Sequence, residues 1–141
     1  MSLTIRPARP DDLEACADLY DRVVRATFTW LALGDQRSKF LKEAEEEEVY
    51  VALDEGRPVG LAAFYRPGDH LHSLYVEYDA HGRGVGSALL AHVEALADGP
   101  VSLKVQALNA AARAFYARRG LAEVEEGHDP DGSHWFRMRR P

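Results

Sequence analysis

Two histidines stand two residues apart in the segment HLHSL, residues 70–74. Because side chains alternate along a strand, His70 and His72 are expected to lie on one face. Imidazole titrates near neutral pH, so the pair could act as a general base. The same pair could hold zinc, with a third ligand from His128, His134 or a carboxylate. Two ordinary polar residues at the entrance of a strand are the third interpretation.

A second candidate is the stretch HGRGVGSALL, residues 81–90, in which Gly82, Gly84 and Gly86 alternate directly before an apolar helix. Glycine lets backbone N–H groups point into one concavity, and a helix N-terminus favours negative charge. The pattern therefore predicts a phosphate cradle. It lacks the sixth-position glycine of the dinucleotide fingerprint and the lysine of a P-loop. A glycine-rich loop without a ligand is the alternative.

Composition and charge indicate a single globular domain over residues 1–141, with 46% hydrophobic and 28% charged residues. The net charge of −6 argues against general nucleic-acid binding. No apolar run is long enough to span a bilayer and the N-terminal residues do not resemble a signal peptide, so we expect no membrane partner and a cytoplasmic location. The single Cys16 excludes an internal disulfide and a cysteine-rich zinc site, and its position on a helix predicts an inert buried thiol.

Hydrophobic periodicity predicts the elements that must position these residues. Strands are predicted at residues 3–6, 49–53, 58–65, 70–77, 101–105, 121–126 and 135–138. Helices are predicted at residues 10–24, 35–47, 85–96 and 109–119, while residues 26–33 are ambiguous. The acidic run at 45–48 is predicted to end the second helix as a solvated face, although it could also attract an amine.

The strand at residues 70–77 is connected to the strand at 101–105 through a helix, so the two are expected to be parallel. The glycine stretch then lies at the carboxyl end of the first strand, where α/β proteins bind ligands. Simple alternation places Leu74 and Val76 on the face of His70 and His72, and Glu77 on the opposite face.

Several of these segments together resemble the GCN5-related N-acetyltransferase (GNAT) superfamily. They are Val76, GRGVGSALL, the strand VSLKV and residues 109–121, NAAARAFYARRGL. The small positions of the family's loop pattern are matched by Gly84 and Gly86, with His81 where Gln or Arg is usual. Its second motif is matched by Asn109, Ala112, Phe115, Tyr116, Gly120 and Leu121. The resemblance implies an α/β (mixed α+β) GNAT fold: a mostly antiparallel sheet, splayed between the fourth and fifth strands and flanked by about four helices.

The resemblance also implies acetyl-CoA as co-substrate, with no metal. Its pyrophosphate would lie on the N–H groups of residues 82–87, and its pantetheine arm would pair with the backbone of residues 74–76. The cofactor-contacting residues expected on this basis are Leu74, Tyr75, Val76, His81, Gly82, Arg83, Gly84, Val85, Gly86, Ser87, Asn109, Phe115 and Tyr116.

For catalysis, the resemblance implies direct attack of a primary amine on the thioester in a ternary complex. Tyr116 would protonate the departing CoA thiolate, and His70 or His72 would take the proton of the amine, directly or through water. A backbone N–H near Leu74 or Tyr75 would hold the oxyanion. Because Cys16 is not expected near this site, no covalent enzyme intermediate is predicted.

The acceptor is less well defined by the sequence. An aromatic wall of Phe28, Trp30, Tyr65 and Trp135 is a candidate lining, and an amine on a small molecule, a peptide or a protein would suit it. A non-catalytic acyl-CoA sensor and an O-acyltransferase are the alternative functions. The protein is expected to be a monomer, or a homodimer through the C-terminal hairpin.

Overall fold

The computed structural model describes residues 2–141, and its elements follow the predicted order. The strands are β1 (Leu3–Pro7), β2 (Glu48–Asp54), β3 (Arg57–Tyr65), β4 (His70–Val76), β5 (Ser102–Gln106), β6 (Ala122–His128) and β7 (His134–Arg139). The helices are α1 (Leu13–Thr27), α2 (Gln36–Ala44), α3 (Val85–Leu96) and α4 (Ala110–Arg118). No helix in this described part of the chain has the length and hydropathy needed to cross a membrane.

All seven strands form one sheet in the order β1-β2-β3-β4-β5-β7-β6. Every neighbouring pair is antiparallel except β4 and β5, which are parallel as predicted. The β4–β5 ladder consists of the single pair His70↔Ser102, whereas β5 and β7 pair over five residues. The sheet therefore opens between its fourth and fifth strands, which confirms the predicted fold class.

Helices cover both faces of the sheet. On one face, α1 and α2 bury Leu19, Tyr20 and Phe40 against Val51 of β2 and Leu61 of β3. On the other face, a second core surrounds α3, with buried members from α3, α4 and the five strands β2, β3, β4, β5 and β7. The alternating apolar residues of β2 and β3 divide between these two cores, as expected for strands covered on both sides.

A β-bulge at His72 interrupts the alternation of β4. Ala63 pairs with Ser73 and Phe64 pairs with Leu71, which leaves His72 without a partner across the ladder. The extra residue puts Leu71 in the core around α3, while His72 lies on the other side beside α2. The ring centroids of His70 and His72 are 6.2 Å apart, so the prediction that the two histidines share a face is confirmed.

The same bulge makes two predictions from simple alternation wrong. Leu74 and Val76 pack in the core around α3 and not on the histidine face. The Glu77 carboxylate accepts a hydrogen bond from Arg22 of α1, so Glu77 lies on the same side of the sheet as the histidines and not on the opposite side. A bulge reverses the order of faces along a strand, and nothing in the alternation itself indicates where one will occur.

Two boundaries also differ from the predictions. α2 ends at Ala44 and not at residue 47, because carboxylates are unfavourable at the negative end of a helix dipole. The acidic run is therefore a turn leading into β2, and it is only partly solvated, since the Glu47 side chain is 6% exposed. In the ambiguous segment, α1 ends at Thr27 and the chain continues as a loop.

Candidate active site

The opening between β4 and β5 leaves one backbone edge of β4 unpaired. Beyond His70↔Ser102 the described residues form no further β4–β5 pairs, while the other edge of β4 is bonded to β3. The peptide groups of Leu74, Tyr75 and Val76 on the open side can therefore bond an extended amide chain by strand addition.

The glycine turn follows this edge and leads into α3. Gly82 and Gly84 have φ values of 78° and 81°, in the left-handed region that favours glycine. A Cβ at either position would meet no atom within 4 Å, so both face open space. Since α3 begins at Val85, the first N–H groups of the helix have no intrahelical acceptor and are available to an anion.

Gly86 has a packing role within α3. A Cβ there would lie 3.1 Å from the ring of Phe115 and 3.7 Å from the side chain of Val76. The missing side chain thus lets α3 approach α4 closely, and Phe115 belongs to the core.

Side chains around the turn hold it in place. His81 Nε2 lies 2.9 Å from the Val76 carbonyl, so it donates to the last residue of β4. Ser87 Oγ accepts from Arg119 Nε at 2.7 Å, and the Arg119 guanidinium lies 3.7 Å from the Phe115 ring centroid. These contacts anchor the loop to β4 and to α4, whereas the Arg83 side chain is exposed.

Tyr116 lies on α4, which is capped as predicted by Asn109, whose Oδ1 accepts from the Ala112 N–H at 3.2 Å. Tyr116 is 8% exposed, and its hydroxyl bonds no group in residues 2–141. Because every fully buried side-chain nitrogen or oxygen in that range has a partner, the hydroxyl must reach accessible space. Burial raises the pKa of Tyr116, with a smaller contribution from Tyr75, so the phenol keeps its proton at neutral pH.

The two histidines have different surroundings. His72 Nδ1 lies 2.9 Å from Glu47 Oε2 and 3.5 Å from Glu43 Oε2, and the bond to Glu47 raises the pKa of His72. Burial lowers the pKa of His70, and the neighbouring His72 lowers it further. His72 is therefore the more basic imidazole, and its ring is held by a carboxylate.

A pocket of about 260 Å³ opens beside His72. Its lining consists of Glu43, Glu46, Glu47, Tyr65 and His72. Three carboxylates around one imidazole make this pocket strongly acidic, which suits a cationic amine.

The sequence profile of the acetyltransferase (GNAT) family matches residues 13–121, which is most of the chain. The protein belongs to the GNAT family. A relative from Salmonella typhimurium, the peptidyl-lysine N-acetyltransferase YjaB, is 32% identical over 128 residues, covering 86% of this chain and 84% of the relative. YjaB of Escherichia coli is 31% identical over 128 residues, covering 86% and 83% of the two chains.

Solved structures agree with the GNAT assignment at the level of the fold. The apo form of YjaB from Escherichia coli superposes with a TM-score of 0.80 at 24% identity, covering 99% of this chain and 97% of that one. The PaiA N-acetyltransferase of Thermoplasma acidophilum, solved in complex with coenzyme A, gives 0.82 at 18% identity, with 99% coverage of both chains.

In this GNAT protein two members of the predicted aromatic wall contact each other. Phe28 packs edge-on against Trp30 and Tyr75, with ring centroids 5.5 and 6.5 Å apart. Of the other two, Tyr65 lines the acidic pocket, and Trp135 lies against Lys104, whose Nζ is 4.5 Å from the ring centroid. The wall as a lining for the acceptor stays a prediction.

The structure also shows which residues could take part in the zinc site that was the alternative interpretation of the two histidines. Among the residues described, ligand atoms of Glu43, Glu47 and His72 lie within 4.8 Å of one another. His128 and His134 stack on each other at 4.6 Å in the terminal hairpin and are not part of that group. Within this trio Glu47 and His72 are hydrogen-bonded to each other.

The sequence predictions did not include Glu43, Arg119 or the contact between Glu47 and His72. Charge runs are usually solvated, so nothing local to residues 43–48 pointed to a histidine on a distant strand. The contact of Arg119 with Phe115 could have been predicted from the sequence, because an arginine four residues after a phenylalanine on a helix can lie over its ring.

Proposed function

We propose that this GNAT protein transfers the acetyl group of acetyl-CoA to a primary amine by direct attack in a ternary complex. The observation that carries the proposal is the opening of the sheet after His70↔Ser102, directly before the glycine turn. An opening with an unpaired strand edge and a helix N-terminus at its end can take an extended amide chain joined to a phosphate. Coenzyme A has both parts, and the PaiA enzyme of similar fold was solved with it.

On the donor side, the N–H groups of residues 82–87 would bind the pyrophosphate and the open edge of β4 would pair with the pantetheine arm. Gly82 and Gly84 support this assignment because no side chain obstructs the turn. Asn109, as the cap of α4, would orient the helix that carries Tyr116 along the arm.

On the acceptor side, we assign the pocket beside His72 to the amine. Its carboxylates favour an ammonium ion, which must lose a proton before it can attack the thioester. YjaB is a peptidyl-lysine N-acetyltransferase by name, and a lysine side chain is a primary amine on a long apolar stem. A lysine in a peptide or protein is therefore the acceptor class we favour over a small molecule.

The reaction then needs three proton transfers, because the nitrogen of the ammonium ion loses two protons and the departing thiolate gains one. His70 or His72 would accept the ammonium proton, and the free amine would attack the thioester carbonyl, forming the C–N bond. A backbone N–H near Leu74 or Tyr75 would stabilise the oxyanion. As the C–S bond breaks, Tyr116 would protonate the thiolate, and the second nitrogen proton, lost once the C–N bond has formed, would restore the phenol. Burial raises the pKa of Tyr116, so the phenol is protonated beforehand but is a weaker acid than a free tyrosine.

The test combines calorimetry with acetyl-CoA and a free-thiol assay over lysine peptides and small amines. We expect acetyl-CoA to bind and one thiol to be released per acetylated amine. Binding without thiol release for any acceptor would contradict transfer and favour an acyl-CoA sensor. A product cleaved by hydroxylamine would indicate transfer to oxygen.

A further inference from the structure

The Glu47 side chain ends in a carboxyl group and yet is largely removed from solvent. It is 6% exposed, although it belongs to a run of four glutamates of which Glu45 and Glu46 are exposed. A buried carboxylate is costly unless it is hydrogen-bonded. The bond it has is the one with His72 Nδ1 at 2.9 Å.

That bond determines the tautomer of the ring. An ionised carboxylate only accepts hydrogen bonds, so Nδ1 of His72 carries a proton. In the neutral imidazole the lone pair is then on Nε2, and the ring stays 39% exposed. His70, by contrast, has no side-chain hydrogen bond within residues 2–141, so nothing selects its tautomer.

The bulge in β4 makes this contact possible. His72 is the residue left out of the ladder between Leu71 and Ser73, and it shares a face with His70 while reaching the turn after α2. Bulges commonly re-aim a side chain beside an active site. In this protein the bulge and the buried Glu47 both determine how the His72 ring is placed.

We propose that Glu47 is a positioning residue that holds His72 with Nε2 free to accept the proton of the amine, so that His72 and not His70 is the base. This inference rests on the proposed acetyl transfer and assigns a new role within the same site. Glu47 does not touch the acceptor's reacting nitrogen; it acts through the ring of His72.

Other charged groups also face His72. Glu43 Oε2 lies 3.5 Å from His72 Nδ1 and raises the pKa of His72, whereas Lys39 of α2 lowers the pKa of His72. His70 lies on the same strand, and Glu46 and Tyr65 line the pocket. Glu47 is distinguished from all of these by its burial and its short bond.

The test is Glu47→Gln, which keeps the size of the side chain and removes its charge. We expect kcat to fall roughly 10- to 100-fold, with little change in the KM for acetyl-CoA. The acid limb of the kcat/KM profile should move to lower pH, because the group that raises the pKa of His72 is gone. The matched control is Glu45→Gln, an exposed neighbour with the same change of charge, which should behave as the wild type.

Nuclear magnetic resonance gives a readout independent of turnover. In the wild type the imidazole nitrogens of His72 should show the Nδ1–H tautomer, and in Glu47→Gln the titration of His72 should shift to lower pH. Measurements use EDTA, since the trio with Glu43 could ligate a contaminating metal. An unchanged pH profile together with an unchanged His72 titration would overturn the proposal, as would the Nε2–H tautomer in the wild type. An inactive wild type that retains the Nδ1–H tautomer would instead count against the acetyl transfer.

Discussion

At the scale of single residues, the proposed acid and the proposed base differ in their surroundings. Burial on α4 raises the pKa of Tyr116, so the phenol stays protonated at neutral pH and is a weaker acid than a free tyrosine. The pKa of His72 is raised by a carboxylate that stabilises the imidazolium. Burial raises the pKa of Tyr75 to about 12, so this phenol also stays protonated at neutral pH.

Removing the hydroxyl of Tyr116 tests its assignment as the acid. Tyr116→Phe should lower kcat by about 100-fold or more, because general acid catalysis contributes that much. The KM for acetyl-CoA and the fold should change little, since the ring remains in the core. Steady-state kinetics with circular dichroism as a folding control measures both. Turnover equal to that of the wild type would remove Tyr116 from the chemistry.

The two histidines are distinguished by a pH–rate profile. A base works only when deprotonated, so kcat/KM should rise with pH through the raised pKa of His72. His72→Ala should abolish this limb and lower kcat about 100-fold, whereas His70→Ala should keep the limb. If both variants keep it, neither histidine is the base.

At the scale of elements, the three glycines at residues 82–86 have different structural roles. Gly82 and Gly84 supply left-handed backbone in open space, while Gly86 permits contact between α3 and the ring of Phe115. The sequence motif does not distinguish the three glycines, whereas their backbone conformation and packing in the structure do.

Gly86→Val should therefore destabilise the fold itself. A side chain placed 3.1 Å from the Phe115 ring overpacks the contact, and we expect a loss of about 1–3 kcal/mol in the free energy of unfolding. Urea denaturation measures it. Gly34→Val is the matched control, because a Cβ at Gly34 meets nothing within 4 Å and φ there is not positive. Equal stability of the two variants would refute the packing role.

The order and type of the elements could be predicted from sequence because apolar periodicity and turn residues are local signals. Strand β3 and helix α3 are clear examples, with predicted and observed ends within one residue. The bulge at His72 could not be predicted, since it results from the register between β3 and β4. The bond from Glu47 to His72 joins residues 25 apart, so it appears only once the chain is folded.

At the scale of the whole molecule, we assign the donor to the sheet opening and the acceptor to the acidic pocket. The net charge of −6 and the carboxylates around His72 should attract cationic acceptors over some distance. This long-range attraction is screened by salt.

The most direct test of acetyl transfer is to mix the protein with acetyl-CoA and a lysine-containing peptide and to follow both thiol release and peptide mass. We predict stoichiometric release of CoA with one acetyl group on the lysine side chain. Without the peptide, neither thiol release nor acetylated protein should appear, because the proposed mechanism has no covalent enzyme intermediate. Thiol release with acetyl remaining on the protein, or acetyl-CoA binding with no transfer to any amine, would contradict the account.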